Sequence, residues 1–457
     1  MVPGGGDMIP DSPLFLYYFL PLTLAAFYVA PKGARCGVLL AASLGYYFLA
    51  DAAGLPVLAA AALGNYVLGR LLGRAGPRGA GFWAAFGVAA NIGLLAFYKY
   101  GGLAAPLGIS FFSFQAVAYL LDVRRGQIPA EAHVGRFALA MAFFPKITAG
   151  PIARFGPLLP ELARPSPTFE DVREGAWRFT VGLAKKTLVA GSLAPLADAA
   201  FGRGAGLDMA TAWLGLACYT AQIYFDFSGY TDMALGLGRL LGVRLPENFR
   251  HPYAAASVRD FWRRWHISLS TWFRDYLYIP LGGGRAAPWR VRCNLLLVFA
   301  LCGVWHGATP NFLVWGLWHG AFLSMERTRI GAALDRAPAV VRHAYLLLAV
   351  MLGWVLFRAT DWGVAAGFYR ALFSLSFDGF AQTWLVHVDR QKIAALVAAV
   401  VFSMPLNGVR QRLAAAFGGR GGLVAEAGRT AAMAGLLAAS AMALAAGAYQ
   451  PFIYARF

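Results

Sequence analysis

Three of the seven histidines stand in apolar, aromatic text: His266 in FWRRWHISLSTW, His306 in GVWHGATPN and His319 in GLWHGAFL. An imidazole in such a setting has a defined chemical use. Its ordinary pKa is near 6.5, so the neutral ring takes a proton from a hydroxyl at neutral pH, and burial keeps it neutral. His306 has the better setting, with uncharged residues 294–304 before it and Gly307 beside it, small enough to let a substrate approach. The plainer reading of a lone buried histidine is a satisfied core hydrogen-bonder, and residue types alone favour it slightly. His306 and His319 occupy two WHG triplets, and thirteen residues of continuous helix would turn them roughly 220° apart, with Pro310 breaking the helix between them. Opposite faces do not make a two-histidine metal site, and HExxH and HxxxH spacings are absent, so no metal is expected. His251 opens a basic segment, His133 and His343 read as loop or interface residues, and His387 as exposed.

Carboxylates and lysines in apolar text are the next candidates, because charge at membrane depth costs several kcal/mol unless paired or hydrated. Asp226 and Asp232 stand in QIYFDFSGYTDMALGLG, about 240° apart on an unbroken helix, with Gly229 as a bending point. Structural pairing with an arginine elsewhere is the more ordinary role for each. Lys99, Lys146, Lys185, Lys186 and Arg358 stand at the ends of apolar runs, where snorkelling accounts for them.

One stretch differs from the rest. Residues 239–292 hold ten arginines against three acids (Glu247, Asp260, Asp275), interleaved with Trp, Phe, Tyr and Leu at near-helical spacing. Such a segment lies in the membrane interface, and the positive-inside rule puts it on the cytoplasmic side. It is either a topology anchor or a site for a phosphorylated donor, since guanidinium forks match phosphate geometry. Arg263, Arg264 and Arg274, with Trp265, are the donor-binding candidates.

The elements that must carry these groups follow from composition. Of 457 residues, 59% are hydrophobic and only 14% charged, against about 25% charged in an ordinary soluble domain; mean hydropathy is +0.56. A soluble cytosolic enzyme, a disordered chain and a fibrous protein are excluded, and so is a β-barrel, because the apolar residues come in long runs. Uncharged runs near span length occupy 14–30, 36–50, 52–69, 81–98, 103–121, 209–225, 293–318 (split by Pro310), 344–357, 393–409 and 430–454, and interrupted ones lie near 134–150 and 179–198. They predict an all-α, polytopic bundle of about eleven to thirteen membrane segments. The formal charge of +18 is read as loop arginine and lysine rather than a nucleic-acid surface. Cys36, Cys218, Cys293 and Cys302 show no CxxC spacing. Asp7 and Asp11, with no basic residue before Lys32, predict a retained first span rather than a cleaved signal, and Met8 is a candidate true start.

WHISLSTWFRDYLYIPLGG, followed about forty residues after its histidine by GVWHG, resembles the membrane-bound O-acyltransferases (MBOAT), and within them the bacterial alginate O-acetyltransferase branch. LGISFFSFQAVAYLLDVRRG (107–126), FFPKITAGPIARF (143–155), GLAKKTLVAGSLAPLAD (182–198), YFDFSGYTDMALGLGRLLG (224–242), WVLFRA (354–359), the terminal PFIYARF and the early SPLFLYYFLPL fit the same branch in order. Lys146, where many members carry a neutral polar residue, and the N-terminal extension depart from it. The resemblance implies one membrane-embedded domain around a tunnel: N-terminal helices over 8–130, a core over 131–330, and C-terminal helices over 331–457. It implies that His306 is the essential histidine and His266 its companion. It implies a cytoplasmic acetyl thioester as donor, usually acetyl-CoA, with no bound cofactor. It also implies an exported, alginate-like polysaccharide as acceptor, reached directly or through a periplasmic SGNH-type acetyltransferase of the export machinery, in a bacterial inner membrane. Oxyanion or support candidates are Trp305, Trp265, Asn311, Asp226, His266 and backbone N–H groups freed near Pro310. D-alanyl or peptidoglycan O-acyl transfer are alternatives within the family. A transporter of small polar solutes is the alternative outside it, and the missing internal repeat argues against that.

Overall fold

The structure, a computed structural model, describes residues 8–202, 207–377, 388–406 and 421–447. Among them every regular element is helical, as the composition predicts. His387 and the terminal PFIYARF lie outside the described residues. Two compact units emerge among the described residues, those of 8–179 with 230–247 and those of 180–229 with 248–447.

The first unit begins with α1 (Leu20–Val29), α2 (Arg35–Ala50), α3 (Leu55–Arg74) and α4 (Pro77–Tyr100). At 1.5 Å per residue, α3 and α4 are long enough to cross a hydrocarbon core of roughly 30 Å. Their facing sides carry Asn65 and Asn91, which exchange amide hydrogen bonds at 3.0 and 2.8 Å. Each amide also donates to a carbonyl one turn back, Ala61 O or Gly87 O, so no amide N–H is wasted in apolar surroundings. α5 (Ile109–Arg124) is buried along nearly its whole length. α6 (Val134–Ala142), α7 (Phe144–Ile147) and α8 (Phe155–Ala163) follow. Apolar runs 103–121 and 134–150 are thus interior packing rather than long lipid-facing spans. Lys146 on α7 does not snorkel: it is 0% exposed. Its Nζ donates to Gln115 Oε1 on α5 at 2.6 Å and to Met141 O at 3.4 Å, groups that stand in for water.

α9 (Phe169–Ala184) and α11 (Met209–Leu240) are divided between the units. In the first unit, Arg178 bridges Asp232 (2.8 Å) and Glu247 (2.5 Å). In the second, a π-helical turn at Lys185–Ala190 leads to α10 (Gly191–Gly202), and Lys186 pairs with Asp226 at 2.6 Å, both side chains under 7% exposed. The two aspartates that rotation separates therefore have different partners.

The second unit continues with α12 (Val258–Arg264), α13 (Ile267–Phe273), α14 (Pro288–His306), α15 (Pro310–Met325), α16 (Arg329–Arg336), α17 (Ala339–Arg358), α18 (Trp362–Leu372), α19 (Arg390–Ser403) and α20 (Gly421–Ala445). The run 293–318 divides where Pro310 predicts: α14 stops at His306, and Pro310 opens α15, where its missing N–H is harmless. The two helices pack backbone to backbone. A Cβ on Gly303 would stand 2.1 Å from Phe312 O, and one on Gly316 2.1 Å from Phe299 O. Among the described residues, four helices suit a membrane crossing by length and composition, α3, α4, α17 and residues 425–445 of α20, with shorter apolar helices at Phe15–Val29 and Arg35–Ala50.

Candidate active site

The site residues lie in the second unit. α12 is anchored at its N-terminus twice. Ser257 Oγ accepts from Asp260 N at 3.1 Å, and the buried Glu326 carboxylate accepts from Val258 N (2.6 Å) and Arg259 N (3.0 Å). Four N–H groups of a first turn lack helical partners, and a carboxylate there satisfies both hydrogen-bonding and dipole. Tyr345 Oη donates to the same carboxylate at 3.1 Å.

Between α12 and α13 the chain turns sharply at His266, which adopts a left-handed backbone (φ 42°). That conformation costs a non-glycine residue roughly 1–2 kcal/mol, and the neighbourhood holds it. Arg250 N donates to Arg264 O, Ile267 N to Asn248 O. Asn248, 0% exposed, places its Oδ1 at 3.1 Å from His266 Nδ1, 3.1 Å from Ser268 N and 2.9 Å from Ser268 Oγ. An amide oxygen only accepts, so His266 Nδ1 carries the proton and Nε2 the lone pair. Burial pushes the His266 pKa down to about 3, which keeps the ring neutral.

His306 ends α14, 2% exposed. Its ring meets Trp305 (centroids 4.8 Å), Trp315 (5.0 Å) and Phe357 (5.2 Å) edge to face. Trp305 also meets His266 at 6.4 Å, so one indole contacts both candidate histidines. The expected separation of the two WHG triplets does not survive the chain reversal. Trp315 touches His306 on one side and His319 on another (5.2 Å), because rotation along one helix says nothing about a hairpin. Gly307 does not open a substrate path either: the Phe312 ring fills the place where its Cβ would be.

A cleft of about 470 Å³ opens among α12, α13, α14 and α15. Arg259, Arg263, Arg274 and Arg327 contribute to its wall, with Trp262, Phe299, Cys302 and Leu323 as apolar lining. Its volume lies within the ~300–1,000 Å³ typical of ligand pockets. Arg274 also pairs with Asp275 (2.6 Å), and Arg259 Nη2 donates to Glu326 O. Among the described residues, Arg263 and Arg327 make no ion pair. The inner wall backs onto the histidines: Trp262 lies 5.8 Å from Trp315 and 5.2 Å from His319.

The candidates named from sequence are thus distributed as follows. Arg263 and Arg274 line the cleft, whereas Arg264 is tied to Asp260 (3.0 Å). Trp265 is packed between Phe261 (5.5 Å) and Trp354 (5.0 Å) in the aromatic core. Asn311 donates to Ala359 O at 3.1 Å, fixing the start of α15 to the end of α17. Asp226 is engaged with Lys186. Asn248, Glu326, Trp262 and Trp315 escaped the sequence reading. The one available signal was Trp315 at helical spacing from His319.

Residues 139–333, which include the basic segment and both WHG triplets, match the profile of the membrane-bound O-acyltransferase family. The chain is 38% identical to a probable alginate O-acetylase of Azotobacter vinelandii, over 98% of this chain and 100% of that protein. It is 37% identical to a probable alginate O-acetylase of Pseudomonas aeruginosa over 85% of this chain and 78% of the other. It is 33% identical to a peptidoglycan O-acetyltransferase of Helicobacter pylori over 77% of each. Similarity that runs end to end, through the helices that hold His266 and His306, shows that this chain belongs to the membrane-bound O-acyltransferase family.

Proposed function

We propose that the protein transfers an acetyl group from a thioester donor, acetyl-CoA, to a hydroxyl of an exported polysaccharide of alginate type, in a bacterial inner membrane. The observation that carries this reading is an arginine-walled cleft whose inner wall backs directly onto the His306–Trp315–His319 cluster. The phosphates of coenzyme A meet Arg263 and Arg327, and the pantetheine arm follows the apolar lining inward. His306 takes the proton of the attacking hydroxyl as oxygen bonds to the acyl carbon. The C–S bond then breaks, and the proton passes to the leaving thiolate. His266, held by Asn248 with Nε2 basic, supports this chemistry across Trp305. The acetyl group reaches the polymer directly or through a periplasmic SGNH-type acetyltransferase, with the export machinery as partner. Peptidoglycan is a second acceptor class, favoured by the 33% identity to the Helicobacter pylori enzyme.

Acetyl transfer from labelled acetyl-CoA by purified protein tests the cleft. Arg263→Glu and Arg327→Glu are expected to raise the donor KM tenfold or more. An unchanged KM in both removes the cleft as donor site. Mass spectrometry of exported polysaccharides with and without the gene identifies polymer and acyl group together.

A further inference from the structure

Behind the cleft, three rings close on one another. Trp262 and His319 meet at 5.2 Å and 86°, Trp315 and His319 at 5.2 Å and 72°, Trp262 and Trp315 at 5.8 Å and 69°. His319 is 0% exposed, Trp315 1% and Trp262 7%. Trp262 Nε1, Trp315 Nε1 and both ring nitrogens of His319 are buried without a hydrogen-bond partner among the described residues. Native folds leave only a few such atoms per hundred residues, and here four share one small cluster. Their sum is chemically lopsided. Two indoles donate only, and a neutral imidazole has one N–H and one lone pair, so three donors face one acceptor. The complement is an oxygen that accepts more than it donates.

The cluster also has the right neighbours. Trp262 lines the cleft and Trp315 touches His306. His319 Nε2 packs closely on Gly353, where a Cβ would stand 3.0 Å from that atom.

We propose that Trp262, Trp315 and His319 cradle the carbonyl oxygen of the donor thioester and donate to it as it becomes the tetrahedral oxyanion. This rests on the acyl-transfer reading of the site. When the acceptor hydroxyl oxygen bonds to the acyl carbon, the carbonyl π pair moves onto oxygen, where the N–H groups receive it. The pair returns as the C–S bond breaks and sulfur departs with its electrons, while the proton held by His306 goes to the thiolate. Donors aimed at charge that exists only in the transition state act on kcat rather than on binding.

The test uses the full-length protein with acetyl-CoA. Trp262→Phe and Trp315→Phe keep an aromatic ring and remove one N–H each. 3-Benzothienylalanine at position 315 keeps the bicyclic shape without the N–H, should the smaller ring disturb folding. Each is expected to lower kcat about 10²-fold or more, with donor KM within about twofold and melting temperature retained. His319→Phe follows the same pattern. An unchanged kcat in the tryptophan variants means that the nitrogens hold an internal water only, and a change confined to KM means that they form only a binding wall. Either overturns the cradle. A wild-type protein that transfers nothing from acetyl-CoA, though folded, would instead remove the donor reading before any variant is compared.

Discussion

Asn248 is the residue whose loss separates support of His266 from simple packing. Its Oδ1 receives His266 Nδ1–H, Ser268 N–H and Ser268 Oγ–H within 3.1 Å, and the side chain is fully buried. Asn248→Leu has the same branched shape, a somewhat larger volume and no acceptor. It removes the acceptor of two buried N–H groups, one on His266 and one on Ser268, at about 1–3 kcal/mol each. The expected destabilisation is therefore about 2–6 kcal/mol. Asn248→Asp keeps both lone pairs and adds a negative charge beside the imidazole. That carboxylate favours the protonated ring, so the His266 pKa rises from its burial-depressed value towards the assay range. Thermal melting in detergent should rank wild type and Asn248→Asp above Asn248→Leu. Acetyl transfer should fall about 10²-fold in Asn248→Leu, the scale of a misplaced catalytic group. Asn248→Asp should carry the acid limb of the pH–rate profile to higher pH than in wild type. If Asn248→Leu melts and turns over like wild type, the amide does not hold the histidine, and its assigned role is wrong.

Two further outcomes follow from buried charge. Asp226→Asn removes the carboxylate charge that faces the buried Lys186 ammonium and should cost roughly 3–5 kcal/mol, read as a melting shift, whereas the double change Asp226→Leu, Lys186→Met should recover most of it; equal loss in single and double variants would contradict this. His266 contributes an acid-side stability slope. Its folded pKa of about 3 lies below the unfolded value near 6.5, so the unfolded chain binds the extra proton between those values. Stability is full above about pH 6.5 and falls by about 1.4 kcal/mol per unit as pH drops towards 3. His266→Gln should flatten that slope, and an unaltered slope would remove the assignment.

What could be read from residue order was what depends on nearest neighbours along the chain. The helical class, the break ahead of Pro310 and the mixed arginine–aromatic character of 239–292 all rest on local pattern, and the helices at Pro288–His306 and Pro310–Met325 stop and start accordingly. What was hidden depends on partners far away in sequence. Lys146 reads as a span-end lysine until Gln115, on another helix, is seen to receive its ammonium. Glu326 carries no signal in its own stretch of sequence, yet its carboxylate caps α12 from the end of α15. The two WHG histidines look opposed because rotation assumes a continuous helix. The hairpin turns both onto Trp315. Apolar text such as 103–121 marks burial well, but it does not say whether lipid or protein does the burying.

The central claim is that the His306 imidazole takes the acceptor's proton while the thioester lies in the adjacent cleft. The direct measurement is single-turnover transfer of labelled acetyl from acetyl-CoA to acceptor by purified wild type and His306→Gln, with donor binding measured on the same samples. Unchanged donor affinity and a loss of transfer of at least 10³-fold are expected, within the usual worth of a general base. Transfer within tenfold of wild type, by a variant that binds donor normally, would contradict it.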